Sequence, residues 1–389
     1  MQPLARRASR IPGEGAIETL ARALELEARG ADIIHLEIGE PDFATPAHII
    51  EAGMAALQAG RTRYGPAPGM PTLRAAIAEH LTITRGIVID PAHILITPGA
   101  KPIIFLTILA LVEEGEEVII PNPGFPAYEA VVQFVGGVPV PLPLRAEDNF
   151  GVNIEELRGL ITPRTKLLIL NSPANPTGGV LTRAELEAIA EIVLSYDLWV
   201  LSDEIYSQLY YDDEPPPSIA MLPEMAERTV LLDGFSKSYA MTGWRLGYGA
   251  FPGPLIGPVT NMIINSHTCV PLFVQEAGLA ALRGPQDCVA VMRAEYRARR
   301  DLLVEGLNAI PGLTCTIPAG AFYALPGISG LGLASARTFT NTLLDFGVAA
   351  LPGTDFGRYG EGHFRISYAT AREKLTEGLR RIRVAVEQL

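Results

Sequence analysis

The stretch Leu232–Tyr248, LDGFSKSYAMTGWRLGY, decides how this chain is read. A run of β-forming residues, 229–232, leads into it, and another, 246–250, leads out. Lys237 therefore lies just past a strand end, between two serines and in surroundings poor in charge. Arg245 follows beyond the turn-like Met-Thr-Gly. Strand ends are where open α/β sheets gather their ligands. A loop lysine taken alone is an ordinary solvated charge, so the weight of Lys237 depends on what the rest of the chain brings to the same edge.

Working outward, the pattern is α/β. Strands are expected at 93–97, 117–120, 138–142, 167–170, 199–201, 229–232 and 246–250. Several are continuous apolar runs (LLIL, TVLL), as expected when helices cover both sheet faces. Between them lie helical stretches such as 99–113 and 180–195, the latter with Thr182 and Glu185 spaced as a capping box. Upstream are a helix at 17–29, a short strand at 33–38, a helix at 46–59, and the irregular Gly/Pro-dense segment RTRYGPAPGM (61–70). After Pro271 the texture changes. Helices at 286–307, 334–346 and 371–388 with a strand in HFRISYA describe a smaller α+β unit, on which the N-terminal helix would pack.

At 389 residues the chain is too long for one ordinary core. A net charge of −12 with no basic tract argues against nucleic acid or an anionic membrane as partner. Local arginines can still bind small anions. The longest apolar run, 102–112, is too short to span a bilayer. No apolar run follows Arg6, Arg7 and Arg10, so no signal peptide is expected. Cys269, Cys288 and Cys315 form no CxxC or paired framework, which fits a reduced cytoplasm. The scattered histidines predict no metal site. No Gly-x-Gly-x-x-Gly follows the first strand, so a nicotinamide dehydrogenase is not expected.

Four features fall at strand ends. Pro98-Gly99-Ala100-Lys101 opens a helix, whose first N–H groups make an anion site. Asn171 to Gly178, NSPANPTG, follows the LLIL strand. Asp203 and Tyr206 lie in LSDEIY. Lys237 and Arg245 complete the set. Each has a bland reading: a helix start, a turn, an N-cap beside a packed tyrosine. Together they supply an amine, a carboxylate, a phenol, an amide, a guanidinium and a helix N-terminus. That combination suits a phosphorylated pyridine aldehyde, whose ring acts as an electron sink and whose phosphate is held by arginine and helix amides.

On these motifs, together with GEPDFATP, YGPAPG, PAGAFY, PGTDFG and RISYA, the chain resembles the class I/II aminotransferases of the pyridoxal phosphate fold type I (aspartate aminotransferase superfamily). The match covers nearly the whole chain, with SKxxxMTGWRxGY at Ser236–Tyr248. The resemblance implies a mostly parallel seven-stranded α/β sheet sandwiched by helices, with a smaller α+β domain. It implies an arm and part of the small domain in 1–45, a large cofactor domain in 46–285 and a small domain in 286–389.

It further implies pyridoxal 5'-phosphate, carried by Lys237 as a Schiff base. Asp203 would pair with the ring nitrogen, Tyr206 and Asn175 would bond the ring oxygen, and Phe125 would stack on the ring. Arg245, Ser236 and the amides of Gly99, Ala100 and Lys101 would surround the phosphate. Arg365 would clamp the substrate carboxylate, with Gly39 giving it room. Tyr64 would reach the phosphate of a second copy, making a homodimer. The family's phosphate-binding serine three residues before the lysine is here Gly234.

By resemblance, the activity is ping-pong transfer of an amino group between an L-amino acid and a 2-oxo acid. The lead pair is aspartate or glutamate with 2-oxoglutarate, with Lys101 or Arg10 meeting the distal carboxylate and Asn265 to Pro271, NSHTCVP, lining the side-chain pocket. Aromatic or neutral aliphatic substrates, a C–S lyase and a non-enzymatic cofactor-sensing regulator are the alternatives.

Overall fold

In the computed structural model, which describes residues 4–11, 13, 15–333 and 335–389, the first strand is β1 (Ile34–His35). It is followed by β2 (Ile94–Thr97), β3 (Glu117–Asn122), β4 (Val138–Pro143), β5 (Thr165–Asn171), β6 (Trp199–Asp203), β7 (Thr229–Gly234) and β8 (Gly247–Ala250). Strands β2 to β8 form a seven-stranded sheet in the order β2-β8-β7-β6-β5-β3-β4. β3 to β7 pair in parallel among themselves and with β4, whereas β8 runs antiparallel to both β2 and β7. The sheet is thus mostly parallel, with one reversed strand.

Both faces are buried along the central strands. In β5, Leu167 and Ile169 join a cluster with Ile103, Ile104 and Val259. Leu168 and Leu170 join another with Leu186 and Ile189. This is the two-residue period of a strand, with helices over each side, and it explains the unbroken apolar run. The helix Arg183–Ser195 begins with the expected capping box. Glu185 N donates to Thr182 Oγ1 at 3.2 Å, and Thr182 N donates to the Glu185 carboxylate at 2.7 Å.

Three strands run farther than their apolar runs suggest. Asn171, Asp203 and Gly234 are the last residues of β5, β6 and β7, with Asn171 paired to Asp203 and Gly234 to Gly247. The backbone ladder continues there whatever the side chain, because main-chain groups still need partners. One further helix, Pro71–Arg85, is not among those expected from the sequence. Pro71 stands in its first turn and Gly86, at φ 69°, closes it. Both are regular helix-boundary signals, masked by the Gly/Pro-dense segment just before. This helix packs on Leu272–Arg283, which in turn packs on Ala47–Gln58.

Past the sheet come β9 (Tyr323–Ala324), β10 (Val348–Ala349), β11 (Leu351–Pro352) and β12 (Phe364–Ser367). β12 lies between β11 and β9, antiparallel to both, and β10 pairs in parallel with β1. Leu303 and Val304 of helix Asp287–Asn308, Phe339 and Leu343 of Ala336–Asp345, and Leu375 and Ile382 of Arg372–Glu387 share one core with Phe364 and Ile366. The expected helix start at Ala334 lies outside the described residues. Near the N-terminus, Ala23 of helix Gly15–Glu27 is buried with Ile33, Leu344 and Ala349. Among the described residues, no helix is long and apolar enough to cross a membrane and no His, Cys, Asp or Glu cluster could hold a metal ion. The three cysteines are free.

Candidate active site

The C-terminal ends of β5 and β6 open onto a cavity of about 390 Å³, closed on other sides by Gly39, Phe125, Tyr323 and Arg365. Asp203, at the tip of β6, is buried there. Its Oδ2 accepts from Tyr128 Oη at 2.6 Å and its Oδ1 from Ile205 N at 3.2 Å. Burial pushes its carboxyl up to about 6, with Asp233 and Glu204 acting the same way against those two hydrogen bonds.

Lys237 lies in the loop between β7 and β8. Its Nζ donates to the Gly39 carbonyl at 2.6 Å and stands 5.6 Å from the Phe322 ring centre. Burial brings the ammonium down to about 8, helped by Arg365, Arg245 and Lys101 and opposed by Glu40. An amine in that range is partly unprotonated near neutrality and so nucleophilic.

The same loop builds an anion cradle. Gly99, at φ 87°, sits just before helix Lys101–Leu111, and a Cβ there would run into the Arg245 guanidinium. A Cβ on Gly247 would strike the Gly99–Ala100 backbone. Arg245, itself at φ 53°, donates from Nη1 to Thr242 O at 2.9 Å. Ser236 is buried at the cavity wall. Helix N-terminal amides beside a guanidinium are a donor set for a phosphate, although the Gly99 amide donates to Thr97 O at 2.8 Å. At Gly234 a Cβ would lie 3.0 Å from Gly247 Cα and 3.3 Å from Ile205 Cδ1. That crowding between β7 and β8 leaves little room for a serine, so Ser236 is the hydroxyl at hand.

Arg365 enters from β12. Its Nη1 donates to Asn175 Oδ1 at 3.1 Å and its Nη2 to the Glu37 carbonyl. Its guanidinium lies 4.5 Å from the centre of the Tyr323 ring and 4.8 Å from that of Phe356. Nε has no partner, and among the described residues Arg365 makes no ion pair. Burial lowers its pKa, against the pull of Tyr323, Tyr206 and Glu37. A buried cation without a carboxylate is costly and is set to receive one. Tyr206 and Tyr323 join hydroxyl to hydroxyl at 2.9 Å. A Cβ on Gly39 would overlap the Tyr323 hydroxyl, so only glycine fits that wall.

The cavity also holds Ala100, Phe125 and Lys101, the last with Nζ 5.2 Å from the Phe125 ring centre. Two expected residues lie elsewhere. Tyr64 is 86% exposed and outside the cavity, and Arg10 faces Glu114 at 3.9 Å. The segment expected to line the side-chain pocket, 265–271, is also away from it. Gly65 N donates to Cys269 Sγ at 3.4 Å, so that segment packs beside Tyr64. A contact of either segment with a cavity therefore needs a second chain. Tyr128, Tyr323 and the pair Glu40–Thr242, whose side chains hydrogen-bond at the rim, escaped the sequence reading. NPGFPAY and PAGAFY contain both tyrosines, and the latter motif ends on the one that meets Tyr206.

A family model described as aminotransferase class I and II matches residues 31–382. An aspartate aminotransferase of Pyrococcus abyssi is 44% identical over 93% of this chain and 94% of its own. An aromatic-amino-acid aminotransferase of Thermococcus litoralis is 43% identical over 92% of each chain. The solved structure of Thermus thermophilus aspartate aminotransferase with maleate superposes with a TM-score of 0.94 at 39% identity, covering 99% of this chain and 100% of that one.

Proposed function

The chain belongs to the class I and II aminotransferases, and from that premise we propose that it binds pyridoxal 5'-phosphate at Lys237 and exchanges amino groups between dicarboxylic amino acids and 2-oxo acids. The observation that carries the reading is one cavity shared by a lysine of lowered pKa, a buried carboxylate and a buried guanidinium without an acid partner. When bound, the cofactor supplies an aldehyde that condenses with amines and a ring that takes up the electrons of the Cα–H bond.

The protein's part is orientation and proton transfer. Arg365 holds the substrate α-carboxylate, aided by Asn175, and fixes which bond at Cα faces Lys237. Lys237, neutral as a base, would take the Cα proton on Nζ and deliver it to the carbon that the cofactor supplies as its aldehyde. Asp203 would keep a proton on the ring nitrogen, and Tyr128 holds Asp203 in place. Tyr206 and Asn175, at the same cavity, would bond the ring oxygen, and Phe125 would stack on the ring. Arg245, Ser236 and the Ala100 and Lys101 amides would hold the phosphate, with Gly99 giving it room beside Arg245 while its own amide bonds Thr97 O.

Aspartate or glutamate as donor is supported by the named relatives and by Lys101 at the cavity. A second reading, aromatic or neutral aliphatic donors, is favoured by the apolar wall of Ala16, Ile17 and Ile38 and by the aromatic relative. A working homodimer, with Tyr64 serving the partner's phosphate, is supported by the exposure of Tyr64 and the packing of Cys269 beside Gly65. The division at 1–45, 46–285 and 286–389 and a cytoplasmic location belong to the same proposal.

The test is a survey of half-reactions. The cofactor-loaded protein is mixed with each amino acid and the visible band of the bound cofactor is followed. Loss of the band fastest with aspartate and glutamate is expected. Reaction with aromatic residues alone moves the substrate to the second reading. Ammonia and pyruvate released from cysteine conjugates without an acceptor would make the protein a lyase. No spectral change with any amino acid overturns the assignment.

A further inference from the structure

Behind the cavity, Arg85 ends the helix Pro71–Arg85 with its side chain 2% exposed. Its Nη1 donates to Glu204 Oε2 at 2.8 Å, and its Nη2 donates to Ser207 Oγ at 2.5 Å and to Asp233 Oδ2. The three acceptors flank the proposed reaction groups. Glu204 directly follows Asp203, Ser207 directly follows Tyr206, and Asp233 precedes Gly234 at the end of β7, four residues before Lys237.

The acceptors are themselves held. Glu204 Oε1 accepts from Ser202 at 2.8 Å and Ser218 at 2.5 Å. Asp233 Oδ2 accepts from Ser207 at 3.1 Å and Tyr248 at 3.2 Å, and its Oδ1 accepts from Gly234 N at 2.6 Å. Two carboxylates against one guanidinium are an expensive arrangement for an interior. A lone structural pair would need only one of them. Burial opposes the Arg85 charge, but Asp233 and Glu204 outweigh it and raise its pKa. Burial and Arg85 push His80, on the same helix, down to about 4, so it adds no second cation near neutrality. Tyr239 and Tyr248 complete the groups facing Asp233, both with pKa raised by burial.

We propose that Arg85 is a positioning residue for the reaction: it clasps the exits of β6 and β7 together, so that Asp203 and Lys237 keep one fixed separation. The inference rests on the reading of Asp203 and Lys237 given above. Loosening the clasp lets the ring-nitrogen partner and the proton-carrying amine drift relative to each other, while Arg365 and substrate binding are left alone.

The test uses the cofactor-loaded protein with Arg85→Met, Arg85→Lys and Asp233→Asn. Arg85→Met is expected to lower kcat by about tenfold or more with KM changed by less than about threefold. The pH midpoint of the bound cofactor's visible band is expected to move by about half a unit or more, and Arg85→Lys to recover part of both effects. Asp233→Asn keeps a one-to-one Arg85–Glu204 pair and so folds with less strain. It is expected to shift the midpoint and kcat in the same sense as Arg85→Met, and if Arg85→Met does not fold it decides alone. A variant that melts lower yet keeps the midpoint within about 0.3 unit and kcat within about twofold overturns the proposal. Failure of the wild-type protein to take up the cofactor is a different result, and overturns the proposed function instead.

Discussion

Lys237 Nζ and the Gly39 carbonyl oxygen meet at 2.6 Å, so the amine past the end of β7 is held by a loop from the chain's first forty-odd residues. A carbonyl accepts from a charged or a neutral amine alike, and therefore steers Lys237 without fixing its protonation. Burial decides that, and sets it at about 8.

Capture of pyridoxal phosphate by the cofactor-free protein should follow the neutral fraction of Lys237. The rate is expected to rise with pH and level off above about 8, as stopped-flow absorbance would record. A rise continuing to the pKa of a free lysine, near 10.4, would mean that the amine is solvated and the site misread.

Asp203→Asn should separate stability from function. The folded carboxyl is raised to about 6, against about 3.9 unfolded. The folded protein then binds more protons between those values, so this group's contribution to stability is present at low pH and lost as pH rises through about 6. At pH 7 the cofactor-free Asn variant is expected to gain about 1–3 kcal/mol in denaturant titration and to lose nearly all turnover. A variant that is both less stable and active would sink this account.

Arg365→Met removes a buried guanidinium with an unpartnered Nε. Cofactor-free stability should stay within about 1 kcal/mol of wild type, because the lost hydrogen bonds are offset by the relieved desolvation. Steady-state kcat/KM for every amino acid should fall by about 100-fold or more, the loss of a charge-assisted bidentate contact. Unchanged KM values across the series would remove Arg365 from the substrate.

Gly99→Ala places a methyl group on the Arg245 guanidinium at a positive φ. The strain is expected to cost about 1–2 kcal/mol. Cofactor affinity, measured by equilibrium dialysis, should drop by about tenfold or more while the amine chemistry of Lys237 with a phosphate-free aldehyde is unaffected. Equal losses with both aldehydes would place the damage outside the anion cradle.

Mixing Lys237→Ala with Tyr64→Ala tests whether two chains share a site. Each variant alone should be impaired. In a mixed dimer one site regains both an intact lysine and an intact tyrosine, so activity should reappear at about half that of a wild-type dimer. Strictly additive activities in the mixture would confine the site to one chain.

The sheet was legible because burial on both faces writes its strands as apolar runs, and Lys237, Asp203 and Asn175 were legible because they stand at the ends of those runs. What was hidden depends on contacts far apart in the chain. Nothing local tells that Tyr128, from far back in the chain, joins the Ile205 amide in holding Asp203, or that Tyr323 must meet Tyr206 through space left by Gly39. The helix Pro71–Arg85 disappeared behind a Gly/Pro-dense lead-in, and the role of Arg85 went with it. The place of 265–271 depends on distant contacts too: within one chain it meets Gly65, and a cavity that it lines would belong to a second chain.

The reversed strand β8 has a thermodynamic consequence. Because Gly247 pairs back onto Gly234, residues 235–246 form a ring of chain whose ends are joined in the sheet before any ligand arrives. The loop-closure entropy of bringing Lys237 and Arg245 to one edge is thus met during folding. An anionic ligand that engages both incurs little further ordering of the backbone, and more of the gross interaction remains as affinity.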